Sequence, residues 1–183
     1  MNKILSCLLA TSIVFSSCSE KEKDAKSYFD EVISRTDSVV VVFNSFIDGS
    51  TYFQVDSLNK SITKIDATIK EQGALIANME DYKGDAAIRI AAITFINQLS
   101  EVSNSEFKKM VNICSISDAI SEQEKSSKID SLASVMGLKV NMASKPFIKA
   151  QTEFAAKNSI KLNFDYEIAP AMKNELDTTV LVK

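Results

Sequence analysis

The side chains of this chain with the means to do chemistry are carboxylates. Of its 183 residues 24 are Asp or Glu, and none is His. The acids are densest at Glu101, Glu106, Asp118, Glu122 and Glu124. A pair of carboxylates at the right separation can act as general acid and base. Each of these five, however, falls where an exposed helix face or a helix cap calls for charge. We therefore expect no catalytic residue and read the chain as a non-enzyme. The missing histidine excludes Ser-His and Cys-His nucleophile pairs, HExxH zinc sites, His-ligated haem and the Glu-x-x-His di-iron motif. No metal and no cofactor are expected. The glycines, at positions 49, 73, 84 and 137, never cluster, so no phosphate-cradling loop is available.

Two polar residues interrupt otherwise apolar helical stripes, Thr36 and Gln72. A polar residue in a helical seam fixes register. The alternative is that the two line a cavity for a small ligand between helices, where Gly73 either leaves room or admits another backbone.

The elements that position these residues are long helices, as the 4 Gly and 2 Pro suggest. A first helix is expected over about residues 24–47, lined by Phe29, Val32, Ile33, Val39, Val40, Phe43, Phe46 and Ile47. The run Val39–Val42 has strand propensity, but the flanking pattern is helical. Asp48-Gly49-Ser50-Thr51 supplies a stop and a new cap. The second helix, about 52–81, carries the clearest signal. Val55, Leu58, Ile62, Ile65, Ile69, Gln72, Ile76 and Met79 recur at alternating steps of three and four, a heptad seam. After a break at Tyr82-Lys83-Gly84-Asp85, a third helix spans about 86–116, lined by Ala92, Phe95, Leu99, Val102, Phe107, Met110 and Cys114. Ser103-Asn104-Ser105 is its soft point. The fourth starts at Ser121, whose spacing to Glu124 suits a capping box, and runs to about 158. Pro146 should kink or split it near 143–146. Beyond it, residues 159–183 lack a helical repeat, and Ile160, Leu162, Phe164 and Tyr166 alternate with polar residues as an extended segment would. The expected fold is all-α: an elongated up-down-up-down four-helix bundle over residues 25–158 with a non-helical C-terminal tail.

The N-terminus reads as an address. One charge at Lys3 precedes the largely apolar run Ile4–Phe15, too short to cross a bilayer, which takes about 20 residues. It matches the apolar region of a secretory signal peptide. Small residues and a cysteine follow. This F-S-S-C string, ending at Cys18, resembles the lipobox of bacterial lipoproteins, with Phe15 where Leu is usual. The resemblance implies cleavage after residue 17 and lipid on the sulfur and α-amino group of Cys18. Each buried methylene contributes about 0.8 kcal/mol, so two or three acyl chains anchor firmly where one does not. Residues 18–24 then form the lipidated cysteine and a charged tether, SEKEKD after the Cys. Ser19 in place of Asp fits transfer to the outer membrane, with the domain facing the periplasm or the cell surface. Loss of Lys3 leaves 20 basic against 24 acidic residues, a net charge of −4. A mildly acidic chain without a basic patch is not a nucleic-acid binder.

With Cys7 gone and Cys18 acylated, Cys114 is the one thiol left in the mature chain, and its helical position reads as a small buried hydrophobe. The string AQTEFAAKNSIKL, Ala150–Leu162, resembles the end of a family of helical bacterial surface lipoproteins with no assigned activity. That likeness implies location and fold and carries over no catalytic residue. Together these features point to a cell-envelope lipoprotein whose helical module binds a protein or envelope component, held to the membrane through its lipid. A small-molecule-binding bundle with a cavity near Thr36 and Gln72 is the alternative.

Overall fold

The computed structural model describes residues 24–50, 54–116 and 120–162. Cys18, Asp118 and residues 163–183 lie outside them. Helix α1 spans Ala25–Ser50 and α2 Val55–Ala77. Helix α3 (Ala87–Val102) continues through a π-helical turn, Ser103–Phe107, into α4 (Lys108–Ser115). Helix α5 runs Glu122–Lys157. The four rods form the expected bundle: α1 packs mainly on α2 and α3 on α5, while α1 meets α5 chiefly through Tyr28, Phe29 and Phe154.

Local chemistry explains each start. The Asp24 carboxylate accepts the Ser27 amide at 2.7 Å and caps α1. The N-cap position of α3 is Ala86, without a side-chain cap, and the Asp85 carboxylate just before it accepts from Ala87 at 3.1 Å. Ser121 caps α5 by accepting from Glu124 at 3.2 Å, as the spacing predicts. The α2–α3 reversal places Lys83 and Gly84 at φ of 49° and 78°. Helix α5 ends in a Schellman motif: Ser159 takes the left-handed conformation at φ 55°, and the Ile160 amide donates to Ala155 at 2.9 Å.

The α2 seam is buried as its spacing requires, at Leu58, Ile62, Ile65, Ile69 and Ile76. Val39–Val42 is helical, because Val39 and Phe43 must share the core face with Phe46. Two expectations change. Helix α1 passes through Gly49 to Ser50 instead of stopping before it. Helix α5 is one unbroken helix through Pro146. Pro146 is exposed, as is Met142, whose carbonyl loses its donor. Water can satisfy a carbonyl on that outer face, so the helix continues.

Aromatic rings gather at three places along the bundle, one of them the Phe95–Phe147 pair between α3 and α5, stacked at 5.5 Å. Tyr28, Phe29, Tyr82 and Phe154 meet with centroids 5.6–6.0 Å apart, where α1 begins and α5 ends. Farther along, Phe107 stacks on Phe46 at 3.8 Å and lies 4.6 Å from Phe43.

Candidate functional site

The π-helical turn concentrates the unusual chemistry of the described residues. A π turn bonds i to i+5 and holds one extra residue, which widens the helix and often marks a functional position. Here Val102, Ser103, Glu106 and Phe107 all turn inward. Phe107 reaches the rings of α1. Glu106 reaches the other way, to α5, with 2% of its side chain exposed.

Glu106 was expected on a solvated face. It is buried instead, and the reason is register. A strict count of threes and fours from Ala92 through Phe95, Leu99 and Val102 lands on residue 106, not on Phe107. The π turn absorbs the conflict by presenting both. Glu101, Glu122 and Glu124 are exposed as expected.

The carboxylate of Glu106 is fully engaged. Its Oε1 accepts from Lys139 of α5 at 2.9 Å and from Lys109 at 3.4 Å. Its Oε2 accepts from the Ser105 hydroxyl. Burial pushes the acid up, but the hydrogen bonds from Ser105, Lys139 and Lys109 outweigh it and hold it at about 2. A carboxylate this acidic, with both oxygens bonded, is a poor general base and is not protonated to act as an acid at neutral pH. Its chemistry is that of an ionic clasp between the π turn and α5. Beside it the Ser103 hydroxyl is buried with no partner among the described residues.

The other singled-out residues do not join this site. Thr36 is buried, and its hydroxyl donates to the Val32 carbonyl of its own helix at 2.9 Å. Gln72 is half-buried on α2. A Cβ on Gly73 would meet only the Ile96 methyl, at 4.0 Å, so no backbone crosses closely there. Cys114 is buried, and burial pushes its thiol up, partly offset by Lys125. Low reactivity follows, since the thiolate is the nucleophile.

The surface of the described residues includes two open grooves that neither Thr36 nor Gln72 lines. One, about 580 Å³, follows the outer face of α1 along Asp30, Ile33, Ser34, Asp37, Ser38 and Val41. The other, about 430 Å³, lies between α4 and α5 and is lined by Lys109, Ile113, Lys128, Leu132 and Val135 among others. Among the described residues no group of three or more His, Cys, Asp or Glu could hold a metal, and no helix is long and apolar enough to cross a membrane. In comparisons with known proteins the chain matches no family model, no curated protein and no solved structure.

Proposed function

We propose that this chain is a lipid-anchored cell-envelope protein whose helical bundle binds another protein or envelope component. The observation that carries the reading is the junction of tether and fold. The charged stretch after Cys18 ends at Asp24, and Asp24 is itself the cap of the first helix. The bundle therefore begins six residues after the candidate lipidation site, with no intervening unit. Extended chain covers at most about 3.3–3.6 Å per residue, so the lipid would hold the α1 start within about 20 Å of the bilayer. The long outer helix faces would then be left for a partner.

Membrane fractionation of cells expressing wild type and Cys18→Ala tests the anchor. The expected result is release of the variant from the membrane fraction. Retention of Cys18→Ala in that fraction would overturn the reading. Protease accessibility on intact cells then reports which side of the membrane the bundle faces.

A further inference from the structure

Helix α5 carries a second heptad seam, on the face away from the core. Lys128, Ser131, Val135, Leu138, Met142, Lys145 and Lys149 follow one another at steps of three, four, three, four, three and four. All seven are exposed. The three apolar residues sit together at its centre, 41%, 62% and 72% exposed at Val135, Leu138 and Met142. Lysines stand at both ends, Lys128 and Lys149 each also pairing with an acid one turn further out, Glu124 at 2.8 Å and Glu153 at 3.8 Å, which leaves Lys145 beside the apolar centre as the lysine of the seam in no ion pair among the described residues. The seam is about 32 Å long at 1.5 Å per residue. Along one edge it borders the α4–α5 groove, where Ile113 and Leu132 add apolar surface and Lys109 a further charge.

An apolar stripe at this spacing is what one helix offers another, and a stripe left in water marks an interaction surface. We infer that the outer seam of α5 docks an amphipathic helix of a partner protein, one with apolar residues at heptad spacing and acidic residues at both ends of them. The charge pattern selects this occupant. A second α5, antiparallel, would set Lys128 against Lys149, which repel. The outward face of α1 has acids at Asp30 and Asp37 but too little apolar surface to match three large side chains. A partner helix with Glu or Asp flanking its apolar centre satisfies both demands, in the helix-in-groove mode of recognition. This inference names a site and partner class for the binding function proposed above and rests on that reading.

The test uses the full-length chain in detergent micelles and two fluorescent synthetic helical peptides of 21 residues. Both carry Leu at heptad spacing in the centre; one has Glu at its ends and the other Lys. The expected result is that the Glu-ended peptide binds at least tenfold more tightly, and that added salt narrows the difference. Leu138→Glu or Met142→Glu should weaken its binding at least tenfold while circular dichroism keeps the wild-type helicity. Equal affinity for the two peptides, binding to neither, or an unchanged affinity in both variants overturns the inference. So does self-association, or binding to anionic phospholipid vesicles, that Leu138→Glu abolishes, since a second copy or the membrane would then be the occupant. A photo-crosslinking residue placed in cells at Leu138 or at Val41 separates this inference from the broader reading. Crosslinks at Leu138 to an acidic amphipathic helix support it. Crosslinks from Val41 alone sink the α5 site and leave a partner-binding role standing. Crosslinks from neither position sink both.

Discussion

The end of the bundle where α1 begins and the π-helical turn use the same residue types in opposite ways. At the α1 start the rings of Tyr28, Phe29, Tyr82 and Phe154 form the packed centre, and the charges sit outside it. Arg89 pairs with Asp81 at 2.6 Å, and Lys157 with Asp85 at 2.8 Å, with Lys157 mostly in water. At the π turn the charge is inside: Glu106 is buried beside Phe107, and its lysines reach in from the surface. Exposed ion pairs contribute little because water competes for both partners. A buried carboxylate has no such alternative, so it must be matched or removed. Charge is thus an accessory at one end and a structural commitment at the other.

The largest expected effect comes from the ring that shares the π turn. Phe107→Ala should cost about 3–5 kcal/mol in urea unfolding, because a fully buried ring stacked on Phe46 leaves a cavity. Glu106→Gln should cost about 1–3 kcal/mol, the range for hydrogen bonds to charged groups. Glu106→Leu should recover most of that loss or exceed wild type, since apolar replacement of a buried ion pair is often neutral or stabilising. If Glu106→Leu is instead as unstable as Glu106→Gln, the clasp contributes more than the desolvation it costs.

Acid should separate the two regions as well. The folded Glu106 titrates near 2 against an ordinary 4.5. A depressed acid gives stability that is present above the unfolded value and lost as pH falls from about 4.5 towards 2. Asp85 is also lowered, by its hydrogen bonds from Lys157 and the Ala87 amide, and pulls in the same direction. Unfolding midpoints measured between pH 6 and 2.5 should therefore fall for wild type and fall less for Glu106→Gln.

The end of the bundle where α1 begins should respond weakly. Lys157→Ala should cost about 0–1 kcal/mol, as exposed pairs do. The smallest effect belongs to Tyr28→Phe. The Tyr28 hydroxyl is buried without a full hydrogen bond, although the Tyr82 backbone approaches it. Its phenol is pushed up chiefly by burial, which Arg89 partly offsets. Removing it should shift thermal stability by less than about 0.5 kcal/mol, in contrast to 1 kcal/mol or more for a satisfied buried hydroxyl.

Much of this architecture is legible in the order of residues, because helix periodicity is local. The α2 stripe from Leu58 to Ile76 and the Ser121 cap each follow from spacing within one helix. The π turn was not legible: Ser103-Asn104-Ser105 reads as a soft point, and the five-residue step from Val102 to Phe107 gains its meaning only from the structure. Nor was the inward turn of Glu106, because a carboxylate is normally assigned to water and one of the groups that make its burial tolerable, Lys139, lies 33 residues away. The core face of α5 was legible in the unbroken apolar spacing of Ile129, Met136, Ala143, Phe147, Ala150 and Phe154, all buried. The outer seam was not, because three apolar residues among lysines and a serine read as an ordinary solvated face.

The sequence by itself determined that the chain is helical, where its helices begin, and that its chemistry would have to do without histidine. Those properties depend on neighbours within one or two turns, where backbone hydrogen bonds and side-chain spacing act directly. Only the tertiary structure decided that Glu106 is a buried clasp, that Thr36 turns back on its own helix, and that Val135, Leu138 and Met142 stay in water. Each of these depends on which face another helix covers, a choice made by packing between residues far apart in the chain.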